Sequence, residues 1–197
     1  PYNFFKISSS FLIINIMSAL ILTIDYLVLS YYGATSQIAS YHTVNRIFLI
    51  SYTLYASYLT FAAKKISNVK SNLSIHQIKS STNIIGTVCV TGVFFFIVLL
   101  KETQGIKLIS YNLELSYPLI VSGFVYFLVR VFADTNILLA KNISKNNTLI
   151  IVYSIDILLA GIFMFYFFPI YGETSLFISL AIAYAVGNFF FLKKVNI

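Results

Sequence analysis

The chain of 197 residues is 59% hydrophobic and only 10% charged, with a mean hydropathy of +0.88, against about 45–50% and about 25% in soluble domains. That excess is too large for an ordinary core, and apolar runs of about 18 residues or more recur, so the expected solvent is a bilayer. The net charge of +7 does not point to nucleic acid, because the lysines fall between apolar runs where topology accounts for them, and the lone Cys89 excludes a disulfide or thiolate metal site within the chain.

Six stretches read as transmembrane helices: residues 7–31, 38–62, 83–100, 117–140, 148–168 and 175–192. Each can cross a core of about 30 Å at about 1.5 Å per residue, the third only just. The first is too long for a cleavable leader and lacks a small-residue cleavage site. The chain opens on Pro1, which leaves a longer parent chain open. After the first helix, in YGATS, Gly33 is placed to end the helix in the left-handed conformation, and Thr35 or Ser36 to cap the next. YGETS repeats the device, with Gly172 before and Thr174 or Ser175 at the start of the last helix. This Y-G-x-T-S recurrence reads as shared turn chemistry and not as a duplication. Between the second and third helices, residues 63–82 read as a solvated basic linker, with a surface-lying amphipathic segment as the alternative; His76 in it has no assigned role.

Positive charge orients the helices. Lys6, Lys64, Lys65, Lys70, Lys79, Lys141, Lys145, Lys193 and Lys194 fall on one side, and only Lys101 and Lys107 on the other, beside Glu102 and Glu114. Both termini and the 63–82 segment are therefore expected in the cytoplasm, with the turns at 32–37 and 169–174 facing outward. The glycosylation-like triplets NLS, NIS and NNT lie on the cytoplasmic side and carry no weight.

Asp25, Arg46, Arg130, Asp134 and Asp156 lie within the spans. A charge at mid-span costs roughly 2.5–3.5 kcal/mol on insertion scales, so such residues mark substrate or ion pathways or buried pairs. Asp25 and Arg46 lie at similar depth on antiparallel neighbours, which makes an Asp25–Arg46 pair geometrically easy. Arg130 and Asp156 match in depth nearer the other face, and Asp134, four residues from Arg130, competes for the same guanidinium. Polar residues extend these positions into stripes: Ser8, Asn15, Ser18 and Asp25; His42, Arg46, Thr53, Ser57 and Thr60; Ser122, Tyr126, Arg130 and Asp134. Their spacing puts each set on one helix face, where three such faces could line a wet cavity. The structural alternative is that Ser and Thr stripes glue helices together and the ion pairs are architectural. His42 can act as a pH sensor, but its place near the outer surface favours an interfacial hydrogen bond.

No HExxH, GxSxG, Walker A or paired-cysteine motif is present, so no catalytic, metal or cofactor site is expected and a non-enzyme is favoured. The segment TIDYLVLSYYGATSQIASYHTVNRI resembles polysaccharide flippases, in which an Asp near a helix end precedes a Gly turn and an A-x-Y helix start. NILLAKNISKNNTLIIVYSIDILLAGIFMFYFFPIYGETSLFISLAIAYAVG is similar to their later pattern of a Lys-containing loop, a Pro-x-Tyr-Gly helix end and a last helix opening with small residues. The superfamily also holds multidrug and toxin extrusion (MATE) transporters and the lipid II flippase. The resemblance implies one six-helix bundle of a transporter with twelve or more spans in two bundles. The Asp-before-Gly turn and the Lys193–Lys194 end fit the C-terminal bundle. The implied function is movement of a lipid-linked oligosaccharide across a bacterial cytoplasmic membrane, with the five intramembrane charges in the substrate or ion pathway. Two Arg against three Asp within the spans also suit a cation-coupled drug exporter of the MATE type. From a different class, the chain could be a non-catalytic assembly subunit or a membrane-embedded glycosyl- or acyltransferase component. Expected partners are the bilayer, a second six-helix bundle from the same parent chain or a homodimer, and a lipid-linked sugar or cationic substrate.

Overall fold

The computed structural model describes residues 2–32, 35–67, 72–103, 115–141 and 146–195. Within them the chain is all α-helical: α1 (Tyr2–Ile21), α2 (Ile24–Tyr32), α3 (Thr35–Ser67), α4 (Asn72–Glu102), α5 (Tyr117–Lys141), α6 (Asn146–Tyr171) and α7 (Thr174–Val195). Five stretches are long and apolar enough to cross a membrane: Leu12–Tyr32, Ile75–Glu102, Tyr117–Ile137, Asn147–Tyr171 and Thr174–Lys193. At 33 residues α3 is long enough, but its Ser, Thr, His, Asn and Arg residues keep it out of that set.

The helices run up and down. One end, here the turn end, holds the α2–α3 and α6–α7 connections; the other, the lysine end, holds the α3–α4 and α5–α6 connections. α5 and α7 are the most buried. α7 packs on α5 and α6, α4 on α3 and α5, α3 also on α5, and α1 with α2 on α6. Aromatic rings fill the centre: Phe48 stacks on Phe127 at 5.2 Å, and Tyr41 lies 4.6 Å from Phe177. Gly86 lets α4 approach α3 and α5 closely, since a Cβ there would come within 2.8 Å of the Tyr55 ring. Outside, Leu12, Ile16, Ile84, Val88, Phe95, Leu99, Leu158 and Ile162 are exposed, a shell far too apolar for water and suited to lipid.

Local chemistry explains several boundaries. Ser116 caps α5, its Oγ accepting from Leu119 N at 3.3 Å, and Pro118 sits in the first turn, where a missing N–H costs nothing. Gly172 ends α6 at φ 58°, the left-handed conformation its sequence position predicts. At the start of α7 the expected cap is reversed: the Ser175 hydroxyl donates back to the Gly172 carbonyl at 2.6 Å. Gly33 and the side chains of Thr35 and Ser36 lie outside the described residues.

Two expectations need correction. The first span is not one helix; it breaks at Leu22–Thr23. Thr23 makes the break tolerable: its hydroxyl donates to the carbonyls of Ala19 and Leu20, each at 3.1 Å, and its backbone N–H also donates to Leu20 at 3.1 Å, so the end of α1 is satisfied locally. The described parts of 63–82 are helix, not linker: α3 runs on to Ser67 and α4 begins at Asn72, and the span expected at 83–100 covers Ile75–Glu102, 28 residues, and is not marginal. Lys64, Lys65, His76 and Lys79 thus sit on helical extensions.

Candidate functional site

The five charges within the helices occupy four different settings. Asp25 is buried in the first turn of α2. Its carboxylate accepts from Tyr41 Oη at 2.5 Å and from Tyr26 N at 2.9 Å, and an acidic group at a helix start is favoured by the dipole. Tyr26 Oη lies 3.1 Å from His42 Nδ1 and 3.5 Å from Asn45 Nδ2, which is the hydrogen bond expected of His42. These contacts tie the first span to α3 at the turn end.

Arg46 does not join them. Among the described residues no Asp25–Arg46 ion pair forms. α3 buries Tyr41, Val44, Phe48, Ser51 and Tyr55, and Arg46 lies five residues beyond Tyr41, about 140° around the helix. It is exposed on the outer face of α3, with Thr53, Ser57 and Thr60. Equal depth brought Asp25 and Arg46 to one height but not to one azimuth.

Arg130 and Asp134 do meet, Nε to Oδ2 at 3.5 Å, four residues apart on α5. The guanidinium lies 4.0 Å over the Tyr52 ring and donates from Nη1 to Tyr126 Oη at 3.3 Å; Tyr52 Oη donates to Asp134 Oδ2. Tyr55 Oη lies 2.8 Å from Thr135 Oγ1 and 2.9 Å from the Val131 carbonyl. A buried charge pair persists only when further hydrogen bonds and cation–π contacts surround it; Tyr52 of α3 and Tyr126 of α5 supply them, and Tyr55 pins α3 to α5 one turn on.

Asp156 is buried and does not pair with Arg130, contrary to the depth match. Its Oδ1 has no hydrogen-bond partner among the described residues. The carboxyl group is turned toward α7 at Gly187, where an added Cβ would lie 2.8 Å from Asp156 Cγ. Nearby on α5 and α7, Asn136 Nδ2 donates to Asn188 Oδ1 at 2.9 Å.

The three polar stripes therefore do not converge on one cavity within this bundle. The α5 stripe faces α3 and α7, the α3 stripe faces outward, and the stripe of the first span is divided by the break: Asn15 is exposed, Ser18 half-buried and Asp25 buried, while Ser8 has no described side chain. Sequence reasoning placed Tyr126 in the α5 stripe but missed the tyrosines of α3. Tyr41 bonds Asp25, Tyr52 bonds Asp134, and Tyr52 and Tyr126 flank Arg130; the available signal was the recurrence of Tyr41, Tyr52 and Tyr55 along one face of α3.

The chain is similar to two curated proteins, each described as "Putative O-antigen transporter": 25% identity over 96% of this chain to that of Salmonella typhimurium (strain LT2), and 27% over 92% to that of Salmonella typhi. It spans 46% and 43% of their lengths, about half. No family model matches the chain, and no solved structure matches it. With the five membrane-length apolar helices, these likenesses support a bacterial, flippase-type membrane protein.

Proposed function

We propose that the chain is one six-helix bundle of a flippase that carries a lipid-linked oligosaccharide, a polysaccharide precursor, from the cytoplasmic to the outer leaflet of the bacterial cytoplasmic membrane. The similarity to two O-antigen transporters along nearly the whole chain carries this reading. Both relatives are described as O-antigen transporters and neither as a drug exporter, which favours the polysaccharide branch over multidrug extrusion. In this reading α3 is the sixth span, and the lysine excess sets both termini in the cytoplasm. The polar outer face of α3 is turned to a second bundle, supported by the half of the relatives' length that the chain leaves unmatched; a homodimer is the other arrangement. Arg46, with His42 and Asn45 beside it, faces the pathway between bundles. Asp25, Arg130, Asp134 and Asp156 contribute from inside, where they hold the helices that line it.

The test is complementation. The full-length protein, expressed in a strain lacking its O-antigen flippase and supplied with the matching glycan pathway, is expected to restore surface polysaccharide; membrane-localised protein with no restoration overturns the reading. In a Cys89→Ser background, Thr103→Cys is expected to react with an impermeant thiol reagent from outside, and Asn72→Cys and Asn146→Cys to be shielded. Reversed labelling overturns the orientation.

A further inference from the structure

The α6–α7 turn, whose Y-G-x-T-S motif the transport reading leaves unused, meets the end of α2 and the start of α3. Tyr32 stacks on Phe168 at 4.8 Å and 23°. Gln37 reaches the turn, its Nε2 3.0 Å from where a Cβ of Gly172 would stand. Between them opens a cleft of about 440 Å³ lined by Tyr32, Gln37, Phe168, Tyr171 and Glu173. That volume lies within the roughly 300–1,000 Å³ typical of small-ligand sites.

The lining chemistry narrows the ligand. Aromatic rings offer flat apolar faces, and a side-chain amide and a carboxylate beside them offer hydrogen-bond acceptors and a donor pair. Rings of that kind suit the C–H faces of a sugar, and the polar groups suit its hydroxyls. Among the described residues no Lys or Arg lines the cleft, and Glu173 would repel a phosphate. Rings that merely form an interfacial belt need neither a shared cleft nor an amide and a carboxylate between them. The site is also pre-organised: the Tyr32 ring is fixed by its stack on Phe168 and by its hydroxyl donating to the Phe165 carbonyl at 3.2 Å, and Gly172 takes a backbone conformation that side chains disfavour.

We propose that the α6–α7 turn, with Tyr32 at the end of α2 and Gln37 in the first turn of α3, forms a saccharide-binding cleft at the outer end of the bundle, which receives the glycan part of the substrate as it leaves. The outward direction and the origin of the saccharide rest on the flippase reading above. Glu173 and Gln37 hold sugar hydroxyls, and Tyr171 supplies an exposed ring against the sugar face.

The test uses full-length protein in nanodiscs and, as probe, the oligosaccharide released by mild acid from the lipid-linked glycan of the producing strain, titrated by saturation-transfer NMR. Inorganic pyrophosphate serves as a second probe. The oligosaccharide is expected to bind. Glu173→Gln, at a half-buried position, and Tyr171→Leu, at an exposed one, should each weaken it about tenfold, the scale of one hydrogen bond to a charged group or one lost ring contact. Pyrophosphate should give no signal that these changes alter. Failure of the oligosaccharide to bind, or binding unchanged in both variants, overturns the cleft. If the variants lose binding but the wild type fails complementation, the flippase reading falls and the cleft stands. If complementation succeeds and binding is unchanged, the reverse holds.

Discussion

Tyr32 Oη donates to the carbonyl of Phe165 at 3.2 Å, the carbonyl that Pro169 leaves without its helical partner. Pro169 lies inside α6 and has no N–H to return to residue 165 four positions earlier. In a bilayer no water is at hand for the orphaned group, so a neighbouring helix must supply the donor. A side chain at the end of α2 thus repairs the backbone of α6.

Tyr32→Phe is expected to cost about 0.5–1.5 kcal/mol of stability, the net value of one such hydrogen bond. Pro169→Ala restores the missing N–H, so in that background Tyr32→Phe should cost much less. A double-mutant cycle by thermal unfolding in nanodiscs measures the coupling. Equal losses in both backgrounds would show that the hydroxyl does not serve the orphaned carbonyl.

The Asp25 setting separates its true partner from the one expected of it. Tyr41→Phe removes the hydroxyl at 2.5 Å and leaves a buried carboxylate short of a donor, at a cost of about 1.5–3 kcal/mol. Arg46→Ala touches an exposed side chain and should change stability by no more than about 0.5 kcal/mol. Transport should respond in the opposite sense to stability for Arg46→Ala: folded yield kept, complementation lost. A drop in folded yield on Arg46→Ala comparable to that of Tyr41→Phe would restore the ion pair that the geometry removes.

What the sequence made legible was whatever depended on one helix alone. The left-handed Gly172 and the Arg130–Asp134 pair four residues apart both follow from local spacing. What depended on azimuth was not legible. Hydropathy and charge depth fix how far along the membrane normal a residue sits, and say nothing of which way a helix is turned. For α3 that choice is made by Tyr41, Phe48 and Tyr55, whose burial outweighs any preference of the polar stripe. The stripe itself gives a false cue, because Thr53, Ser57 and Thr60 each donate to a carbonyl three or four residues back and so need no interior partner. The break at Thr23 was hidden for the same reason: threonine reads as one more tolerated polar residue until its hydroxyl is seen closing the end of α1.

Gly187 leaves the space on α7 that the Asp156 carboxyl occupies. Gly187→Ala places a methyl group against a buried carboxyl, and overpacking of this kind costs about 1–3 kcal/mol. Asp156→Ala removes the obstruction and a buried polar atom without a partner, so the double change should recover most of the loss. Melting temperatures of the two single variants and the double variant decide it. A double variant less stable than Gly187→Ala would mean that Asp156 is held by groups other than the contact with α7.

The outer face of α3 carries the last prediction. Arg46, Thr53, Ser57 and Thr60 are exposed there, and an arginine facing hydrocarbon is costly. α4 by contrast exposes Val88, Phe95 and Leu99, side chains at ease in lipid. If the α3 face lines a wet pathway against a second bundle, Thr53→Cys in full-length protein lacking Cys89 should react readily with a water-soluble maleimide, and Phe95→Cys should react far more slowly, since thiols in hydrocarbon do not form the reactive thiolate. Thr53→Trp fills the same path and should abolish complementation while leaving the protein in the membrane, whereas Phe95→Trp should be tolerated. Equal, slow labelling at both positions together with tolerated Thr53→Trp would place α3 against lipid, and the second bundle would then have to dock on another face.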